Sequence, residues 1–501
     1  MLGLLIPYLP CAQRVASVMD EATLLVYPEM VLKGFLPYRD FETFYGPANI
    51  YLLAGTYSIF GLDLGVERWV GLLYRLATVS AMFGLLRRSG LIVAAGGALL
   101  SGLLLIPLEL TASAWLGGVA CALWSLVVGF AAPARWRAPA AGFLAAMALL
   151  FRPDLGPAVI LSAVPLWLSF AGPERWRWII ACAAGLVPLV LLTAAAGPLE
   201  IFNNLLLYPA GRCNPGRRLP LSVVEGWLVR LLVLNLAVTA FNLIAASRLA
   251  WAERTRWRTQ PQSATLLAVA LLGFGITHQL LQRLDVTHFF GVAFLSVGVL
   301  PALIAAWLER VESRSAHSQA GLAVALPLVA LMATSPEFTT VVRIAISRGL
   351  ATERAETPVA ENRGRRYPVR SQKLADDLAQ LTAHAEQLGT AGQRLFVGPA
   401  DLRRTNYGDT FIYHLLPRFT PATYFLEMNP FSANRPGSRL AADLASADLA
   451  ILNTEWNQWG EPNESQRYGS EEPNLVLARH FERVATYGTF HLFRKRPAQT
   501  P

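Results

Sequence analysis

Between residues 66 and 334 the chain is a succession of apolar runs joined by short connections, and this pattern restricts the fold more than any other feature. Several runs reach the roughly 20 residues that an α-helix needs to cross a bilayer. Of the 501 residues, 54% are hydrophobic and 15% charged, whereas soluble domains carry about a quarter charged. The chain therefore reads as a polytopic α-helical membrane protein. Spans are expected at approximately 1–19, 66–86, 91–108, 113–133, 138–151, 155–171, 176–196, 227–247, 263–281, 289–308 and 319–334, about eleven in all. The first, interrupted by Pro7, Pro10 and Arg14, lacks the basic leader and small-residue cleavage pattern of a signal peptide. The run over 138–171 is broken by Arg152-Pro153-Asp154, and two tilted spans or one re-entrant pair both fit it.

Charge orients these spans. With the N-terminus in the cytoplasm, the cytoplasmic loops hold Arg87-Arg88, Arg135-Trp136-Arg137, Arg175-Trp176-Arg177, Arg248 to Arg258 and Arg310 to Arg314. All carry arginine, as the positive-inside rule requires. The opposite side then collects Asp20-Glu21, Asp40, Glu109, Arg152 and Asp154, the 197–226 segment, and Arg283, Asp285 and His288. The net charge of +9 belongs mostly to these topology-setting loops, so it gives no reason to expect a nucleic-acid partner. Cys11, Cys121, Cys182 and Cys213 lie far apart and show neither metal spacing nor a disulfide framework.

Composition changes after residue 334. Residues 335–370 are expected to be a linker, and 371–501 a small α/β domain on the outer, extracytoplasmic side. A helix is expected at 371–388. Short apolar runs at 394–398, 422–427, 448–453 and 489–493 alternate with helical patterns at 438–445 and 475–482.

The chemistry-bearing groups lie at the mouths of spans. Asp20 and Glu21 follow the first apolar run, and Asp40 lies in a Gly34 to Phe41 turn. Asp40 reads equally well as a carboxylate near a substrate and as a loop acid paired with Arg39. Arg152 and Asp154 sit at the break in a span, where charge is costly unless it faces a cavity or a partner; a structural pair is favoured slightly over a phosphate site. Gln282, Arg283, Asp285 and His288 fill a connection too short to be a floppy loop. A guanidinium there forks well onto phosphate oxygens, and this reading is favoured over an Arg283-Asp285 pair that ends a helix. Arg212, Arg217 and Arg218 put positive charge on the side where it is not expected, which suits anionic lipid head groups or a donor phosphate and equally a solvated loop that tolerates charge.

The run Asp20-Glu21, Tyr27, Gly34 to Phe41, Gly46-Pro47 and Tyr51-Leu52-Leu53-Ala54 resembles the first outward loop of the GT-C glycosyltransferases, integral membrane enzymes that use polyprenyl-phosphate-linked sugars. The protein O-mannosyltransferases and the lipid A aminoarabinose transferases are relatives. Arg283-x-Asp285-x-x-His288 also looks like a pattern of bacterial members. The resemblance is dense over 20–75, patchy around 138–156 and 278–288, and only architectural elsewhere. It implies residues 1–334 as the catalytic membrane domain, with 20–65 as the first outward loop. Residues 47–62, apolar and aromatic but short and bounded by Gly46-Pro47 and Gly61, read as a helix on the membrane surface, with a short span as the competing reading.

It further implies a bacterial plasma-membrane enzyme that moves a sugar, with inversion, from a polyprenyl-phosphate donor to a hydroxyl of a cell-envelope acceptor (glycan, lipid or protein). Asp20 would be the base, Glu21 would orient it or help hold a divalent metal where one is used, and Arg283 would meet the donor phosphate. The other readings are a transporter or flippase for a lipid-linked glycan and a non-catalytic scaffold. A transporter would place its ionisable groups at the bilayer midplane and show repeat symmetry, and the sequence has neither.

Overall fold

The computed structural model describes residues 8, 14–131, 134–212, 214–311, 316–350 and 357–497. The chain folds as a polytopic helical bundle with a small C-terminal α/β domain. Most of the expected first span lies outside the described residues. Each of the ten other expected places is helical. Seven of these helical segments are long and apolar enough to cross a membrane: Leu64–Ser89, Leu91–Leu108, Gly172–Ala196, Gly226–Ala252, Gln262–Gln282, Val286–Arg310 and His317–Thr334. Ala114–Phe130 and Pro153–Ser169 are shorter apolar helices, and Ala134–Phe151 packs against its neighbours Ala114–Ala131 and Gly172–Gly185. The count by length and composition is thus seven where about eleven were expected. The break at Arg152 has a local cause. A residue before proline is pushed out of the helical region, and Arg152 takes φ −147° and ψ 100° before Pro153.

Burial separates central from peripheral helices. Val286–Arg310 is 78% buried within the protein and Gln262–Gln282 67%, against 17% for Gly172–Ala196. The last leaves Ile180, Val190 and Leu191 exposed, as an apolar helix does where its outer solvent is lipid.

The 20–65 segment is more ordered than a loop. Asp20–Leu32 is helical and residues 21–30 are all buried. A helix covered all round needs partners on every side. Pro47–Phe60 and Phe411–Leu415 supply two of them. Pro47–Phe60 buries Ile50, Leu53 and Tyr57 and leaves Leu52, Ile59 and Phe60 exposed, which suits a helix at the membrane surface. Gly46 sets its start: the glycine amide donates to the Phe151 carbonyl at 3.1 Å, and a Cβ there would lie 2.0 Å from the Leu150 carbonyl oxygen.

The expected linker at 335–370 contains a helix, Pro336–Leu350, and a β-hairpin of β1 (Val359–Asn362) and β2 (Arg365–Pro368). Its turn residues Arg363 and Gly364 have φ of 51° and 75°, the two positive values that a tight I′ hairpin turn requires. Arginine is an unusual first residue for that turn, which is why the hairpin was not expected. The main sheet contains β3 (Arg394–Pro399), β4 (Thr420–Pro421), β5 (Leu449–Asn453), β6 (Phe481–Tyr487) and β7 (Phe490–Lys495), in the order β4-β3-β5-β7-β6. β3 pairs parallel with β4 and β5, while β7 runs antiparallel to β5 and β6. The expected strand at 422–427 is irregular beyond Pro421, and β6 takes over where a helix was expected to reach 482.

Candidate functional site

The adjacent acids Asp20 and Glu21 have opposite environments. Glu21 is buried and receives both arms of Arg68, Nε to Oε1 and Nη2 to Oε2, at 2.9 Å each. Its Oε2 also accepts the Ser17 amide at 3.0 Å. Asp20, at the first position of the helix, keeps solvent-accessible surface. Protein atoms nevertheless crowd round it closely enough that desolvation raises its pKa above the ordinary aspartate value. The Ser17 hydroxyl, 3.3 Å from Asp20 Oδ2, and the charges of Arg217, His288 and Arg283 pull the pKa back. Three expected site residues, far apart in sequence, thus lie within electrostatic reach of Asp20.

Arg283 sits at the end of the helix His278–Gln282 and is held on every nitrogen. Its Nε donates to Asp285 at 2.8 Å. Its Nη1 donates to the Arg217 carbonyl at 2.9 Å and to Glu461 at 2.7 Å, and Nη2 also donates to Glu461. Asp285 caps the following helix by accepting the His288 amide at 2.9 Å. The His288 Nδ1 lies 2.9 Å from both Asp285 oxygens. Carboxylate oxygens accept, so Nδ1 carries a proton. Burial would raise the Asp285 pKa, but the hydrogen bonds from His288 and the charge of Arg283 hold it well below the ordinary range.

Arg217, half-buried in the turn Asn214–Arg217, also reaches Glu427 and Tyr45 electrostatically. Arg218 is exposed. The Arg212 side chain lies outside the described residues. Arg152 forms a bidentate pair with Asp154, Nε to Oδ1 at 2.8 Å and Nη2 to Oδ2 at 2.5 Å. Its guanidinium lies 5.4 Å from the ring centroids of both Tyr45 and Trp115. Gln279 donates to Asp154 at 2.8 Å, so the break in the span is closed by a satisfied polar chain. Gln282 has its own partner.

Asp40 is engaged elsewhere. It takes both arms of Arg39, at 2.9 and 2.8 Å, and accepts the Leu36 amide at 2.7 Å, which ties the turn together. Of the two readings of Asp40, the geometry shows the paired loop acid.

Two acids that sequence reasoning passed over are buried in the same region. Glu427 accepts the Tyr27 hydroxyl at 2.7 Å and the Asn429 amide at 3.0 Å; burial raises its pKa, and Asp20 adds to the rise. Glu42 accepts the Ser432 hydroxyl, while its second oxygen is buried with no hydrogen-bond partner. Burial, reinforced by Glu427, pushes its pKa up to about 8. Nothing local marks Glu42 as different from Asp40. The signal for Glu427 is its place just beyond an apolar run of the C-terminal domain, next to Asn429-Pro430.

The C-terminal domain contributes side chains to the same region. Besides Glu427 and Glu461, the Tyr424 hydroxyl donates to the Tyr38 carbonyl at 2.8 Å, and the Tyr208 hydroxyl donates to the Pro430 carbonyl at 2.6 Å. Among the described residues, no group of three or more His, Cys, Asp or Glu could hold a metal ion. The arrangement places the accessible carboxylate of Asp20 within electrostatic reach of two arginines and a histidine. It can remove a proton from a bound hydroxyl and neutralise a bound anion.

No protein-family model matches the chain, and no curated protein matches it. Solved structures do. The crystal structure of ArnT from Cupriavidus metallidurans bound to undecaprenyl phosphate matches with TM-score 0.54 and 12% identity, covering 99% of this chain and 97% of that one. The structure of the same protein in the apo state matches at TM-score 0.48 and 12% identity, covering 98% and 96%. The match to the undecaprenyl phosphate-bound structure runs nearly end to end, through the helical bundle and the C-terminal α/β domain alike. In fold, the chain is thus similar to ArnT over nearly its whole length.

Proposed function

We propose that the protein transfers a sugar from a polyprenyl-phosphate donor to a hydroxyl of a cell-envelope acceptor at the outer face of a bacterial plasma membrane. The observation that carries this reading is that the accessible carboxylate of Asp20 lies within electrostatic reach of Arg217, Arg283 and His288. Each part has a task. Asp20 accepts the proton of the acceptor hydroxyl as that oxygen attacks the anomeric carbon from the face opposite the phosphate. The bond from the anomeric carbon to the phosphate oxygen breaks, and the leaving polyprenyl phosphate keeps the electron pair. This anion is stable without protonation, so cations suffice where a general acid would otherwise be needed. Arg217 and Arg283 supply the positive field, and His288 offers Nε2 as a further contact. Desolvation makes Asp20 a stronger base than a free aspartate. The fold shared with ArnT, whose crystal structure holds undecaprenyl phosphate, supports a polyprenyl phosphate as the lipid.

The test uses membranes containing the protein, a panel of radiolabelled polyprenyl-phosphate sugars and native envelope acceptors. Transfer of label from one donor to an acceptor is expected. Movement of lipid-linked sugar across sealed vesicles without transfer would replace this reading with a transporter.

A further inference from the structure

Arg283, the arginine best placed for the donor phosphate, already holds an anion. Glu461 grips it across the gap between the two domains, with Nη1 to Oε2 at 2.7 Å and Nη2 to Oε1. The two side chains are 18% and 12% exposed. A guanidinium presents a single planar fork of this kind, and carboxylate and phosphate oxygens fit it in the same bidentate way. The fork therefore accommodates one of the two anions at a time.

The two acids on Arg283 are not equivalent. Asp285 is local, two residues away, and takes Nε while it caps the next helix. Glu461 arrives from 178 residues away in sequence. It is braced by Asn463, whose side-chain amide donates to Oε2 at 3.0 Å, and by Gln466, which donates to the Glu461 carbonyl at 2.6 Å. Gly460, Pro462 and Gln466 around it are exposed. The same segment leans on the turn that carries Arg217. Trp459, just before it, has its carbonyl bonded by Arg404 and Asn406 at 3.0 and 2.9 Å. Glu461 is thus mounted between two anchored points, Trp459 before it and the buried Ser465 after it, with Gly460 and Pro462 on either side of it exposed.

We propose that Glu461 is a resident anion in the donor-phosphate seat, and that a polyprenyl phosphate binds by displacing it and swinging the 460–466 loop off Arg283. The inference rests on the donor reading above and adds the regulation of that site. With Glu461 in place, Asp285 and Glu461 together outweigh the charge of Arg283, and a phosphate approaching them meets repulsion. With Glu461 displaced, the fork, Arg217 and His288 all face the newcomer. The latch costs donor affinity in proportion to the fraction of time it is closed.

The experiment measures the affinity of purified protein for undecaprenyl phosphate, with neutral undecaprenol as the control. Glu461→Gln keeps the shape and removes the charge. It is expected to bind undecaprenyl phosphate about tenfold tighter than wild type, with undecaprenol unchanged, and Glu461→Gln combined with Arg283→Gln is expected to lose the gain. Glu461→Asp, which keeps the charge but shortens the reach, is expected to tighten binding by a smaller factor and carries the test if the glutamine variant does not fold. Equal or weaker phosphate binding by both variants, with wild type binding well, overturns the latch and leaves the donor reading intact. Equal tightening for undecaprenol also overturns it, because the gain would not concern phosphate. Absence of undecaprenyl phosphate binding in wild type and variants alike overturns the donor reading and the latch together.

Discussion

Glu21 and Arg68 form a bidentate ion pair with both side chains 3% exposed. Breaking such a pair strands an unpaired charge where water cannot reach it, at a cost of about 3–5 kcal/mol. Glu21→Ala or Arg68→Ala is therefore expected to lower the Tm of the detergent-purified protein steeply or to prevent its accumulation. Asp20→Asn, one residue away at an accessible position, is expected to leave Tm almost unchanged. Thermal unfolding of the three variants checks this. A Glu21→Ala protein as stable as wild type would contradict it.

Glu42 ties stability to pH. Its folded pKa of about 8 lies above the ordinary glutamate value of 4.5, so the folded state holds a proton that the unfolded state releases. The stabilisation is complete below pH 4.5 and is lost as pH rises towards 8. Asp409, raised to about 6 by burial, adds the same sign lower down. His414, lowered to about 3 from 6.5 by burial and Arg365, opposes both up to 6.5. Between pH 6.5 and 8 His414 no longer opposes and Asp409 is ionised in both states, which leaves the contribution of Glu42. Tm is expected to fall with pH in that window, with a smaller slope in Glu42→Gln. A flat wild-type profile would count against the buried acid.

Much of this was legible in the sequence, and the division has physical causes. Apolar runs of span length are a one-dimensional signal, so ten helical places could be located before any tertiary contact was known. Asp20, Arg217, Arg283 and His288 stood out because charge at the mouth of an apolar run is costly and therefore conspicuous. Glu42, Glu427 and Glu461 did not, because loop acids are common. Their meaning comes only when the C-terminal domain docks and brings Glu427 against Tyr27, 400 residues away. The Arg363-Gly364 hairpin was hidden for a different reason: arginine rarely occupies a positive-φ turn position.

Gly46 is a sharp steric point. A methyl group there would lie 2.0 Å from the Leu150 carbonyl oxygen, and backbone cannot yield as a flexible side-chain end can. Gly46→Ala is expected to push the start of the Pro47–Phe60 helix off Ala134–Phe151 and to shift Tyr45 from Arg152. Overpacking of this kind costs about 1–3 kcal/mol or more. A lowered Tm together with impaired transfer checks it, and wild-type behaviour in both would contradict the packing.

The arginines of the 197–226 segment are expected to differ in effect. Arg217, half-buried and facing Asp20, should on replacement by alanine weaken donor binding by about 10–100-fold, the range for a lost charge-assisted contact. Arg218, exposed, should change it by less than about threefold, as surface charges do. Donor titrations of the two variants decide the assignment, and equal effects would contradict it.

The central claim is that Asp20 is the base, and the most direct measurement is the pH dependence of kcat/KM for sugar transfer in wild type and Asp20→Asn. The wild-type profile is expected to fall on the acid side through a pKa above that of free aspartate, because desolvation raises this group and the base must be ionised to act. Asp20→Asn is expected to lose about 10²–10⁴-fold in rate while remaining folded. A folded Asp20→Asn protein with wild-type kcat/KM and an unchanged acid limb would contradict the account.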